Sequence, residues 1–365
     1  MKFLLLSLFI SVSAFGERKP NAAVPQETVQ RLKTLYPEQT ESFIFERIQN
    51  AKTTFEKWRA FPPYFYELLT RSSQILGNTF LTRPGLCAGD PHLENFGYVY
   101  MGRPFFSLND LDDVAACSLN ADALRLFIGH RLVSPLKASE WIAEYKAGLS
   151  GMNTPAPAYL EKIEKESAKK KTEMTKKYKK LLEANICTGE FAPATKEEVD
   201  QVTNFLKAEG KSLKLLCTRT KDTGGSAGNK RFVIFYPISN GFEVIELKPL
   251  ATPAPMAPKV ISVLERQVQY QQAVSIFLGA NFFSAYYPVT MGRKIYQRRP
   301  LWGGNVGVTE SDLSSRDVRE VALYQARTLG RYHRITNNNP FPFTPEAWDK
   351  LALEIEKKWR QEFAE

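Results

Sequence analysis

Gly89-Asp90-Pro91-His92-Leu93-Glu94-Asn95 and, fifteen residues beyond Asn95, Asp110-Leu111-Asp112-Asp113 are the stretches on which the reading of this chain turns. Gly89 and Pro91 flank Asp90, so the backbone bends sharply at that carboxylate. The apolar runs Phe96–Tyr100 and Pro104–Leu108 read as paired strands around a Met101-Gly102-Arg103 turn, which returns the second acidic cluster beside the first. An Asp and an Asn five apart beside Gly and Pro would by themselves suit an ordinary Asx-turn. The acidic cluster adds more, because crowding Asp110, Asp112 and Asp113 after an apolar run costs self-repulsion that a cation or basic partner offsets. Mg²⁺ takes hard oxygen ligands and shares its shell with substrate phosphates, so Asn95 with Asp110 or Asp112 suffices to hold it. Asp90, kept free of metal, is then placed to accept the proton of an attacking hydroxyl, and the pattern points to phosphoryl transfer.

The second half of the chain offers what such a site still lacks. Thr223-Gly224-Gly225-Ser226-Ala227-Gly228 precedes a strand at Arg231–Tyr236, a turn at Ser239–Gly241 and a strand at Phe242–Lys248. Backbone N–H groups around Gly224, Gly225, Ser226 and Gly228 could lie over the phosphates of ATP, and Lys248 could reach the α/β-phosphates. As a lone signal such a loop is also what a flexible hairpin uses. A helix at Val260–Leu278 carries Glu265 as a candidate partner for Lys248, although beside Arg266 it equally suits a solvated face.

Gly89–Gly97, Leu108–Asp113 and Asp122–Leu126 resemble the G-D-x-H-x-x-N-F-G, N-D-F-D-E and D-x-x-R-L signatures of the bacterial "domain of unknown function 2252" family, itself similar to the aminoglycoside and choline kinase branch of the protein-kinase-like fold. The likeness runs through most of the chain after about residue 55 and implies roles by position. Asp90 matches the catalytic-loop Asp, His92 the loop-bracing His and Asn95 a metal-binding Asn. Asp110 matches the second metal ligand, with Asp112 as an alternative. Asp122 and Arg125 would be structural, Asp122 tying the catalytic loop from the following helix. In ordinary kinases the glycine loop and Lys precede the catalytic loop, whereas here they follow it. The expected fold is therefore α+β and two-lobed, protein-kinase-like but circularly permuted, with extra N-terminal helices. Lys248 is expected within about 15 Å of Asp110, the span a nucleotide triphosphate can bridge.

The expected organisation is a signal peptide at 1–16, a helical lobe at 17–210 with the hairpin at 86–126 and a basic helix at 155–185, a sheet lobe at 211–300, and C-terminal helices at 301–365. With 43% hydrophobic and 12% aromatic residues, 365 residues can bury a full core, which excludes a disordered chain. Phe3–Ala14 after Met1-Lys2, with small residues at Ala14 and Gly16, reads as a secretory signal cleaved near Gly16–Glu17, so a periplasmic or secreted location is expected. No later stretch is long and apolar enough for a membrane span. The four cysteines permit pairing within Cys87/Cys117 and within Cys187/Cys217 among three connectivities, with buried free thiols as the expectation. The three histidines are scattered and give no zinc spacing.

Part of the net charge of +10 is local: Glu161–Glu183 holds nine Lys against five Glu in a helix-forming run. Such a face is usually solvated and could also attract an anionic envelope surface. It lacks the interleaved aromatics that stack nucleic-acid bases, so nucleic acid is not an expected partner. Helices are read at Pro25–Tyr36, at Glu41–Phe61 with Phe45, Ile48, Phe55 and Trp58 as its stripe, from a Thr195/Glu198 capping box to Glu209, at Ser314–Tyr332 and at Pro345–Phe363. Lys294–Arg299 reads as a strand, and Trp302-Gly303-Gly304-Asn305 as a junction between lobes. The function expected is transfer of a phosphoryl group from a Mg-nucleotide to a small-molecule hydroxyl. Exported proteins meet little ATP, which keeps a non-catalytic kinase-like protein binding an anionic ligand or the envelope surface as the alternative.

Overall fold

The computed structural model describes residues 25–76, 82–219, 228–257, 259, 261–301 and 304–363, and the expected signal segment lies outside them. Four helices open the described chain: α1 (Gln26–Leu35), α2 (Glu41–Asn50), α3 (Thr54–Ala60) and α4 (Pro62–Leu76). The single helix expected over 41–61 is broken, because Thr53 turns extended and starts α3 with a capping box to Glu56. Ile48, Phe55 and Trp58 of the expected stripe are buried, whereas Phe45 is exposed.

β1 (Pro84–Cys87) pairs antiparallel with β4 (Ala115–Ser118). Between them lies the expected hairpin of β2 (Phe96–Met101) and β3 (Arg103–Leu108), turning at Gly102 in the left-handed region. α5 (Leu119–Val133), α6 (Ala138–Leu149) and the long α7 (Ala158–Ala184) follow.

The chain then builds a six-stranded sheet in the order β5 (Ala192–Pro193), β6 (Leu215–Arg219), β7 (Arg231–Ile238), β8 (Gly241–Pro249), β10 (Lys294–Pro300), β9 (Tyr287–Met291), antiparallel throughout. α8 (Lys196–Ala208) sits between β5 and β6 with the Thr195/Glu198 capping box formed. α9 (Val263–Ala273) is followed by one π-helical turn at Val274–Leu278, together covering most of the helix expected from Val260. β11 (Val306–Gly307) comes next among the described elements and pairs with β2; of the expected Trp302-Gly303-Gly304-Asn305 junction, Trp302 and Gly303 lie outside the described residues. α10 (Ser315–Thr336) and α11 (Pro345–Glu362) close the chain, capped by Ser314 and Thr344. The protein is thus α+β.

Among the described residues the apolar interior has three parts. The largest joins α1–α6, α10, α11 and the two small sheets, and buries Trp58, Trp141, Trp348 and Trp359. One face of the six-stranded sheet (Phe232, Ile234, Ile245, Leu247) packs on Val202 and Leu206 of α8. The opposite face packs Val233, Phe235 and Val244 on Tyr178 and Leu181 near the end of α7. α7 therefore bridges the two regions, burying Tyr159, Leu160 and Ile163 in the first and Tyr178 and Leu181 in the second, with its lysines outward. Among the described residues no helix is long and apolar enough to cross a membrane.

The cysteines correct the expectation of free thiols: Cys87 is bonded to Cys117 and Cys187 to Cys217. β1–β4 pairing sets Gly85 opposite Cys117 and Cys87 opposite Ala115, which brings the first couple together, and Cys217 of β6 meets the loop after α7.

Candidate active site

The loop carrying Asp90 is held from below by α5. Asp122, in its first turn, accepts hydrogen bonds from the backbone N–H of Ala88 (2.8 Å) and Gly89 (2.9 Å), one on each carboxylate oxygen. His333 of α10 contacts the same carboxylate at 3.0 Å, and Tyr66 donates to the carbonyl of Gly89. Gly89 has φ +79°, and a Cβ there would stand 1.8 Å from the backbone oxygen of Asp113. The two acidic loops are therefore packed backbone to backbone, which only glycine permits.

Asp90 is buried, and its Oδ1 accepts from Arg125 Nε at 2.8 Å and also from Nη2 of the same fully buried guanidinium. Arg125 is itself fixed by a 2.9 Å bond to the Trp58 carbonyl and by the Trp58 ring beneath it. Burial raises the Asp90 carboxyl to about 6, against the pull of Arg125. His92 Nε2 stands 3.7 Å from Asp90 Oδ2, its Nδ1 has no partner among the described residues, and burial holds the imidazole neutral. Bracing of the loop comes through the Asp122 and His333 side chains, while His92 contributes its carbonyl, which accepts from Asn95 N–H. Asn95 donates its amide Nδ2 to the Asp90 carbonyl at 2.7 Å, so its Oδ1 is turned away from that bond.

The second acidic loop meets the six-stranded sheet. Lys248, fully buried on β8, places Nζ 2.8 and 2.7 Å from the two oxygens of Asp110 and 2.6 Å from Asp112 Oδ2. The separation falls well inside the span expected from sequence. One ammonium faces two carboxylates, and their charges separate. Burial opposes ionisation of Asp110, but Lys248 overrides it and holds that carboxyl well below the usual range. Burial and the neighbouring Asp110 push Asp112 up to about 7. Asp113, raised to about 6 by burial and by Asp90, accepts the N–H of Ala254 at 2.7 Å.

Glu265 is a correction. It lies exposed in the first turn of α9, accepting from Gln269, while Lys248 is taken by Asp110 and Asp112. The inward residue of that turn is its neighbour Arg266, which donates to the carbonyls of Val114 (2.7 Å) and Asp112. Helical geometry rotates adjacent residues by about 100°, so one of the two had to face out. Gly228 lies against the Phe43 ring of α2; Gly224, Gly225 and Ser226 lie outside the described residues.

A cavity of about 120 Å³ opens beside Asp112 and Asp113, walled by Tyr36, Pro37, Pro62 and Thr252. It brings the N-terminal helices to the acidic centre. Among the described residues no three His, Cys, Asp or Glu side chains are grouped to hold a metal ion.

A family model described as "Uncharacterized protein conserved in bacteria (DUF2252)" matches residues 78–235. The match covers less than half of the chain; Asp90, Asn95, Asp110, Asp112, Asp122 and Arg125 fall inside it and Lys248 beyond it. No curated protein and no solved structure matches significantly.

Sequence reasoning missed Arg266 and a charged cluster on the sheet. Glu246, two residues before Lys248 on the same face of β8, is fully buried among Arg219 (2.8 Å), Arg299 (2.6 Å) and Arg231 (3.6 Å). Its signal was the period-two placement of Glu246 and Lys248 inside an apolar strand.

Proposed function

We propose that the protein is a phosphotransferase of the kinase-like kind, moving a terminal phosphoryl group to a small hydroxyl acceptor. The observation that carries this is the Lys248–Asp110/Asp112 contact beside the Asp90–Asn95 loop. The sheet favours the finer reading as well: β6, β7 and β8 run as a meander with the Lys on the third strand, then a helix, as protein kinases arrange theirs. Because this segment follows the catalytic loop in sequence, the kinase-like arrangement is a circularly permuted one.

The residues present fit Mg²⁺. The donors are hard oxygens, Asn95 has its amide nitrogen committed and its oxygen turned away, and the charge of Lys248 alone balances only one of two adjoining carboxylates. Asn95 with Asp110 or Asp112 would hold the ion, which when bound neutralises charge on the phosphates. Lys248 steadies the phosphate chain. Asp90 Oδ2, the oxygen that Arg125 leaves free, takes the acceptor's proton as the acceptor oxygen bonds to phosphorus and the bridging P–O bond breaks toward the shortened donor. The cavity at Tyr36 and Asp113 suits the acceptor, and its size favours a small one. Two disulfides favour an oxidising compartment outside the cytoplasm, in keeping with the signal-like N-terminus.

The test is transfer of labelled terminal phosphate, with Mg²⁺-dependent thermal shift as the binding readout. Asp90→Ala should abolish transfer and keep binding, and Asp110→Asn should lose both. Engagement of Asp90 by Arg125 favours one rival, a non-catalytic binder of the same ligand, for which binding would persist with no transfer in any variant. Absence of both binding and transfer would refute the phosphotransferase.

A further inference from the structure

The face of the six-stranded sheet that carries Lys248 has two stretches. Its apolar stretch, formed by Cys217, Val233, Phe235 and Val244, is covered by Tyr178 and Leu181 of α7 and by Phe191, with the Tyr178 and Phe235 rings in edge contact at 5.8 Å. The stretch next to Lys248 is charged: Arg219 from β6, Arg231 from β7, Glu246 from β8 and Arg299 from β10. Glu246 is a single carboxylate among three guanidinium groups. Burial works against its ionisation and Arg299, Arg219 and Arg231 override it, holding it at about 2. Arg219 has a second, half-exposed partner in Glu190 at 3.3 Å. Arg219 and Arg299 keep 17% and 16% of their side chains open to solvent beside the fully buried Lys248.

A nucleobase is bound by sandwiching its flat faces between apolar or aromatic groups, with polar atoms at its edge. Among the described residues of this face, the apolar and aromatic groups that could form such a slab are already occupied by α7 and Phe191. Two residues before Lys248 on β8, about 7 Å away at strand spacing, stands Glu246 with its ring of guanidinium groups instead. Guanidinium groups match phosphate oxygens, often bidentately. The cavity at Tyr36 is no substitute, since no Lys or Arg is among the residues lining it to meet a phosphate chain, and it is the place assigned above to the acceptor.

We infer that the donor is an inorganic oligophosphate, recognised through its phosphate chain by Lys248, Arg299 and Arg219 and without a base-binding slot. The inference rests on the phosphotransfer reading and narrows its donor. The transfer balances without a nucleoside: the acceptor hydroxyl loses its proton, its oxygen bonds to the terminal phosphorus, and an oligophosphate one unit shorter leaves with the bridging electron pair. Such a donor also suits a compartment poor in ATP.

The experiment is calorimetric titration of the oxidised protein with Mg²⁺ and either tripolyphosphate or ATP, together with adenosine competition. The inference expects tripolyphosphate to bind as tightly as ATP within threefold, adenosine to displace neither, and Arg299→Gln to weaken tripolyphosphate at least tenfold. ATP binding more than tenfold tighter than tripolyphosphate, or competition by adenosine, would overturn the inference and leave phosphotransfer standing. Binding of neither donor would overturn both. The adenosine arm needs no variant, so a misfolded Arg299→Gln protein does not blunt the test.

Discussion

Lys248 on β8 places its ammonium 2.7 Å from Asp110 Oδ2, a partner 138 positions earlier in the chain, and the two form a contact between the acidic hairpin and the six-stranded sheet. The lysine is fully buried and the carboxylate partly so, which makes each dependent on the other. Removing one member of a buried ion pair leaves the other uncompensated, typically at about 3–5 kcal/mol. Lys248→Met should therefore destabilise the protein by that order. The double variant Lys248→Met/Asp110→Asn should lose less than the sum of the single losses, by about 1 kcal/mol or more. Urea unfolding of the four proteins measures this coupling, and additive losses would show that the pair contributes nothing to holding the hairpin and the sheet together.

Gly89 and Gly102 make a controlled comparison, since their φ angles are +79° and +78°. A methyl at Gly102 meets nothing within 4 Å, so Gly102→Ala should cost only the left-handed penalty of roughly 1–2 kcal/mol. At Gly89 the same methyl meets the Asp113 carbonyl oxygen, and Gly89→Ala should cost more, about 3 kcal/mol or above, by pushing the two acidic loops apart. Equal costs in denaturant titrations would mean that the loops are not packed as described.

Much of the site was legible because its signals are local. Gly89, Pro91 and the β2–β3 hairpin are set by turn chemistry and period-two patterning, and Thr195, Ser314 and Thr344 announce their helices by capping. Asp122 and Arg125 were placed by family resemblance, and their bonds to Ala88, Gly89 and Asp90 agree with a tying role. What failed was decided by tertiary contact. Choosing Glu265 over Arg266 required the rotation of α9 about its axis, which a two-residue window does not contain. The Glu246 cluster draws on four strands, so no single segment reveals it. Thr53 lay within a good amphipathic stripe, and its capping of α3 outcompeted helix continuation. The disulfides are not legible because strand pairing, which closes Cys87 onto Cys117, is not written in the spacing of the cysteines.

The disulfides should differ in consequence though not in size. Each closes a chain separation of 30 residues, which by loop entropy alone is worth about 3.5 kcal/mol. Cys87→Ser with Cys117→Ser, and Cys187→Ser with Cys217→Ser, should lower stability comparably. Only the first pair adjoins Ala88, whose N–H is held by Asp122, so on the function proposed above only its loss should weaken Mg²⁺-dependent phosphate binding, by several-fold. Binding left unchanged in the Cys87/Cys117 variant would separate the bridge from the site.

Asp112 predicts a specific dependence on pH. Its carboxyl keeps its proton to about 7 in the folded protein, because of burial and then Asp110, whereas an unfolded chain releases it near about 3.9. Between those values the native state holds the extra proton, so this residue's contribution to stability falls as pH rises through the interval. His92, His130 and His333 act oppositely: burial keeps them neutral, and their contribution improves as pH rises toward the ordinary imidazole value. They can mask Asp112 in the wild-type profile but are shared with the Asp112→Asn variant and cancel in the difference. That difference should move in favour of the variant from pH 5 to pH 8 and flatten below about pH 4, where both carboxyl states are protonated. Urea unfolding at four pH values reads it directly, and a difference that does not change with pH would mean that Asp112 ionises normally beside Lys248.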